Sequence, residues 1–283
     1  MSAMFGEQIL ARTLQRAGVT DRDGKAWQYH SRSDRHSKIA CWAILFDLLR
    51  TSALLRDHAT AGKVGFGLNH ELRDFRVNRK KNLDLVVCLG KPDGDTTSTL
   101  AHYGAELALA LTPAEQAALA ALPALRRGAV SNVLLALEAK ACMTEHVKAR
   151  PRLYDELASS AQTIHGDTGS AIAAAFVMIN SAASFVSPDR NKGRIRPGKF
   201  VANPHKQPDV ALKVLEKIME LPRRSNESGS GFDAVGITMI RCRNDGSPVE
   251  IDAELNQHIA PIVRYDELVQ RLAHLYATKF AAI

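Results

Sequence analysis

Glu138 and Lys140 stand two residues apart at the end of the apolar run Val133-Leu134-Leu135-Ala136-Leu137, where charge is costly. The run is short and uniformly apolar, and it is entered through the turn-rich stretch holding Arg126, Arg127, Gly128 and Ser131, which predicts a buried central strand. Successive side chains alternate across a strand, so Glu138 and Lys140 share one face. A second acid, Asp84, is embedded in the run Leu83-Asp84-Leu85-Val86-Val87-Cys88-Leu89. Charges at the edge of a core need a partner or a metal. If the two strands are neighbours, Asp84 and Glu138 converge on a hard cation, which prefers carboxylate, carbonyl and water oxygens. Lys140 beside that cation would orient or deprotonate a water and offset negative charge on a phosphate.

Asp84 and the tripeptide Glu138-Ala139-Lys140 resemble the first acid and the E-x-K element of the PD-(D/E)xK nuclease superfamily, although Leu83 stands where proline gives the family its name. The resemblance implies a restriction-endonuclease-like core: an α/β fold with a mixed central β-sheet flanked by helices. Its element order can be read over roughly residues 35 to 185. A helix from about Asp34 to Leu55 precedes a strand around Val64 to Leu72, the Asp84 strand and the Glu138 strand. A helix around Leu153 to His165 and a strand from Ile172 to Ile179 follow. The resemblance further implies that Asp84 and Glu138 hold Mg2+, with Mn2+ able to substitute, that the Ala139 carbonyl completes the shell, and that Lys140 serves the attacking water. Gln162 matches a glutamine that the family often carries near the metal. The implied activity is metal-dependent endonucleolytic hydrolysis of DNA, leaving 5′-phosphate and 3′-hydroxyl ends, by a restriction endonuclease or related defence nuclease. Cutting both strands needs two such sites, hence a homodimer. An RNA or structure-specific nuclease on the same core, and a non-catalytic DNA-binding or assembly protein, are the alternatives.

A hairpin over Val64 to Val87, turning near Asn78, would place Glu71 on the face of Asp84 within diagonal reach. Glu71 is thus the candidate third acid, with Asp47 on the first helix as the competing choice. Arg79, Lys80 and Lys81, together with Arg73 and Arg76, crowd the approach to Asp84 and suit a sugar-phosphate backbone. The stretch from Ser187 to Pro208 carries Arg190, Arg194 and Arg196 among further lysines, and arginine pairs bidentately with phosphates and guanine edges.

The 283 residues, 46% hydrophobic and 24% charged, suit one main domain. An N-terminal helical arm, about residues 1 to 30, would serve packing or dimerisation. A helical insertion occupies about 91 to 130, and a C-terminal extension of about 187 to 283 ends in a helix from Tyr265 to Phe280. In the insertion, Thr112, Pro113 and Glu115 spell a capping box before a helix to about Leu122, while Lys91 to Thr99 is polar enough to order only on a substrate. A net charge of +7 favours polyanionic partners. Four dispersed cysteines without a CxxC pair argue against a zinc ribbon or disulfide framework and suit a reducing cytoplasm. No signal peptide or membrane-length apolar run is seen. Gly65 and Gly67 lack dinucleotide-binding spacing, His70-Glu71 meets Asp74 where a zincin needs its second histidine, and Gly90-Lys91 lacks the rest of a P-loop. Cys142 and His146 lack an orienting group for a thiol-imidazole dyad.

Overall fold

Strands covered on both faces read as unbroken apolar runs, and the two most uniform runs of this chain occupy the middle of its sheet. The computed structural model describes residues 3–90, 98–192, 200–226 and 229–283. In chain order the first half holds α1 (Gly6–Gln15), a short pair β1 (Val19–Thr20) and β2 (Ala26–Trp27), α2 (Arg35–Thr51), α3 (Ala53–Thr60), β3 (Val64–Asp74) and β4 (Arg79–Leu89). Then come α4 (Leu100–Glu106), α5 (Pro113–Ala120), β5 (Asn132–Cys142), α6 (His146–Asp167) and β6 (Ile172–Asn180). The chain closes with β7 (Ser184–Val186), β8 (Ala202–Pro204), α7 (Asp209–Met219), β9 (Ala234–Arg241), β10 (Glu250–Ile251) and α8 (Tyr265–Lys279).

The central sheet has the order β10-β9-β6-β5-β4-β3. Strands β3, β4 and β5 run antiparallel, β5, β6 and β9 run parallel, and β10 returns antiparallel on the edge. The fold is therefore α/β, a mixed sheet flanked by helices. One face is packed by α1, α2 and α8 around Trp42, Phe46, Phe66, Phe176 and Tyr276, and the other by α6 and α7 around Leu157, Ile164, Val214 and Ile218. Helix α2 is apolar all round because it lies in the first of these layers, with every side chain from Ile39 to Leu49 buried.

Several expected boundaries shift. The helix expected from Asp34 to Leu55 is two helices: Ser52 is extended and its hydroxyl accepts the Leu55 N–H at 3.2 Å, so the same residue that ends α2 caps α3. Helix α6 starts at His146, earlier than the expected Leu153, and runs through Pro151. The capping box is as expected: Thr112 Oγ1 accepts the Glu115 N–H at 3.3 Å, and Glu115 returns the bond to Thr112 N at 2.7 Å. Glu115 also binds Arg12 of α1 at 2.5 Å, which ties the insertion to its own chain. The N-terminal arm is likewise part of the core, since Asp47 accepts the amides of Phe5 and Gly6. Residues after 187 complete the sheet through β9 and cover it with α7 and α8. Among the described residues no helix is long and apolar enough to cross a membrane.

Candidate active site at the fork of two strands

Strands β4 and β5 pair as far as Leu85 and Leu137, and one further step of that register sets Asp84 opposite Glu138. There the ladder gives way to a side chain: Asp84 Oδ2 accepts the Ala139 N–H at 2.9 Å. An extended residue sends its N–H and C=O to the same edge, so the Ala139 carbonyl also leaves β5 on the side of Asp84. The other carboxylate oxygen, Oδ1, accepts the Ser37 hydroxyl at 3.0 Å, in the first turn of α2. Alternation along β5 puts Lys140 on the face of Glu138, with Nζ 2.8 Å from Glu138 Oε1 and 3.8 Å from Glu156 of α6. The three residues picked from the sequence thus meet at one fork, between the start of α2 and the middle of α6. Asp84 and Lys140 border a cleft of about 300 Å3, which also includes Ala139, His36 and Arg152, while Glu138 itself is buried.

The electrostatics of the fork are unusual for a structural ion pair. Glu138 is 3% exposed, and its Oε2 is buried with no hydrogen-bond partner among the described residues. Burial, and then the charge of Asp84, push its carboxyl up to about 7, against the pull of Lys140. Burial likewise raises Asp84, opposed by the Ala139 amide, Lys140 and Ser37. For Lys140 burial disfavours the ammonium, but Glu138, Asp84 and Glu156 together outweigh it and raise the pKa. In the ion-free fork this favours the ammonium form of Lys140. His36 is held neutral, its pKa lowered to about 4 by burial and the nearby Lys140.

Other expected residues lie elsewhere. Glu71 pairs with Asn82, two positions from Asp84 on the same side of the ladder, but its carboxylate is exposed and bound to Lys80 at 2.7 Å. Asp47 is fully occupied by the amides of Phe5 and Gly6, Arg50 and the Tyr265 hydroxyl, so it anchors the N-terminal arm. Gln162 accepts Arg79 at 2.7 Å beside the β3–β4 hairpin; it is Glu156, nearly two turns earlier on α6, that reaches the fork. Lys81 is near enough to act on the charge of Glu138. Arg190 is exposed, 3.9 Å from Glu145, whereas Arg194, Arg196 and most of Lys91 to Thr99 lie outside the described residues. Arg152 was expected near the cleft, whereas Ser37, Glu156 and His36 were not picked out as site residues. Only the β4–β5 fork brings Ser37 to Asp84 and Glu156 to Lys140.

A hollow of about 270 Å3 continues the cleft, sharing Arg32 and Ser33 with it and reaching Arg22 and Lys192. These bases extend a cationic border from the fork along one end of the sheet, interrupted by Asp21, Asp23 and Asp189. No family model, curated protein or solved structure matches the chain, and any reading of its function rests on the chemistry of this cleft.

Proposed function

We propose that the chain is a metal-dependent phosphodiesterase that hydrolyses DNA at the fork of Asp84, Glu138 and Lys140. The observation that supports this most is Glu138: a buried carboxylate with one oxygen on Lys140 and the other bare, beside a second buried carboxylate. A buried acceptor left unsatisfied is expensive, and the arrangement makes sense when a ligand completes it.

The donor set fits Mg2+, which is held through one or two carboxylates plus waters and substrate phosphate and needs no all-protein cage. Among the described residues no three His, Cys, Asp or Glu side chains gather into a metal-binding group. Asp84, Glu138 and the Ala139 carbonyl would hold the ion, and Mg2+, or Mn2+ in its place, would polarise a phosphoryl oxygen and acidify a water. Ser37 and the Ala139 amide fix the Asp84 carboxylate, so its orientation is set before any ligand arrives. Lys140 Nζ, held charged, donates to a non-bridging phosphate oxygen or to the incoming water. Glu156 and Arg152 position that ammonium from α6. Hydrolysis joins the water oxygen to phosphorus and releases the 3′-oxygen, leaving 5′-phosphate and 3′-hydroxyl ends. A duplex cutter of this kind works as a homodimer, and a defence or restriction role in the cytoplasm is the setting we assign. Four buried thiols with no disulfide agree with that compartment.

The test is cleavage of supercoiled plasmid DNA with Mg2+. Wild type is expected to nick or linearise it and to stop in EDTA, while Asp84→Ala, Glu138→Ala and Lys140→Ala each lose about a hundredfold or more. Salt-sensitive DNA binding without cleavage in Mg2+ or Mn2+ would instead mark a non-catalytic DNA-binding protein. Cleavage of RNA alone would move the substrate class but keep the site.

A further inference from the structure

A chamber of about 400 Å3 opens beside the acid cleft. The two share Tyr29, Ser31, Ala141, Ala149 and Arg152, so a chain lying in the cleft has direct access to it. A chamber of this size, mostly apolar with a few placed polar groups, has the form of a small-molecule site. Its apolar surfaces come from Tyr29, Met143 and Phe185, all buried. Its thiol, Cys142, is driven up to about 12 by burial and is inert at neutral pH.

The polar wall has a definite direction. His205 Nδ1 lies 3.0 Å from the Ala182 carbonyl, which has no proton to give, so Nδ1 carries the proton of the neutral ring. Nε2 is then an acceptor, and the Thr144 hydroxyl, 3.2 Å away, donates to it. With its own proton committed, Thr144 Oγ1 accepts Asn203 Nδ2 at 3.5 Å. The chain of donors fixes the amide so that Asn203 Oδ1 is the group left over. That oxygen is buried without a hydrogen-bond partner among the described residues, on a side chain only 6% exposed. At the rim stand the exposed bases Lys148, Arg152 and Arg190, paired loosely with Glu145 and Glu156.

We propose that this chamber takes a nucleobase, belonging to a nucleotide next to the phosphate in the acid cleft, and that Asn203 Oδ1 accepts an N–H from the edge of that base. The proposal rests on the phosphodiesterase reading of the cleft and narrows its substrate. A base enters such a chamber only out of its stack, which is easiest in single-stranded, mismatched or otherwise loosened DNA. Tyr29 and Phe185 supply the apolar surface for its ring, and Arg152, common to both spaces, faces the linking phosphate.

The test is calorimetric titration in EDTA with dCMP and dAMP, both of which carry an exocyclic amino group, against 2-deoxyribose 5-phosphate, which lacks the base. Wild type is expected to bind the nucleotides about tenfold tighter than the sugar phosphate. Asn203→Ala should erase that difference. Should Asn203→Ala fail to fold, Thr144→Val, which removes one hydroxyl at nearly constant shape, should still weaken nucleotide binding severalfold. The exposed Arg152→Ala should weaken nucleotide and sugar phosphate alike. Equal binding of nucleotide and sugar phosphate by wild type, or Asn203→Ala and Thr144→Val binding dCMP as wild type does, would overturn the proposal. Tight nucleotide binding in a protein that never cuts DNA would support the chamber and sink the phosphodiesterase reading. Efficient cutting with no base-dependent nucleotide binding would sink the chamber alone.

Discussion

At the scale of single residues, Glu138 carries most of the account. Its folded carboxyl, pushed from 4.5 up to about 7, holds more protons in the fold than in the unfolded chain over that interval. Stability of the metal-free protein should therefore fall as pH rises from about 4.5 to about 7 and level off above. Glu138→Gln removes that cost: in EDTA its Tm should exceed wild type by roughly 5 °C at pH 8 and by about 1 °C or less at pH 5. Calorimetry at the two pH values decides it, and an equal offset at both would mean that Glu138 ionises normally. Asp84, Glu138 and Lys140 were legible in the sequence because each is a charge set into an otherwise apolar strand. Ser37 and Glu156 were not, because a hydroxyl at a helix start and an i,i+4 ion pair look the same whether they face water or a cleft. The expectation that Glu71 would be the third acid had the correct side of the ladder. In the structure its carboxylate is exposed and paired with Lys80, diagonally across the hairpin.

At the scale of elements, what shapes the site is the point where β4 and β5 stop pairing. Apolar run lengths and turn residues located β3, β4, β5 and β6, whereas the antiparallel arrangement of the first three and the return of β6 through α6 were what the family resemblance implied. The split at Ser52 and the early start of α6 were hidden, because Ser52 sits inside a continuous helical pattern and Pro151 reads as a helix boundary. Close approach fixes α6 against the hairpin: a Cβ on Gly166 would lie 2.1 Å from Asp74 Cγ. The insertion is pinned just as locally by Glu115, which is both capping-box partner and buried ligand of Arg12. Glu115→Ala should cost about 3 kcal/mol in chemical denaturation, since it removes a cap and strands a guanidinium. A loss under about 0.5 kcal/mol would show that α5 docks independently of α1.

At the scale of the whole molecule, a mixed sheet between two helical layers leaves the ends of β4 and β5 open to solvent on the side lined by Arg22, Arg32, Lys148, Arg152 and Lys192. With a net charge of +7, DNA binding by cleavage-dead protein should weaken tenfold or more between about 50 and 200 mM salt. Replacing Arg32 by alanine should lower the salt slope by about one, read by fluorescence anisotropy; a slope that does not change would take Arg32 off the DNA path. The mixed-sheet architecture was what the family resemblance implied and run lengths located its elements, whereas the place of β9 in the same sheet was not read, since parallel pairing with β6 leaves no local turn signal. The most direct measurement of the central claim is a titration with Mn2+, following the free ion by electron paramagnetic resonance. Wild type should bind one ion per chain, and Asp84→Asn and Glu138→Gln should each weaken it at least about tenfold. Undiminished binding in both variants, or none in wild type even with DNA present, would contradict the account.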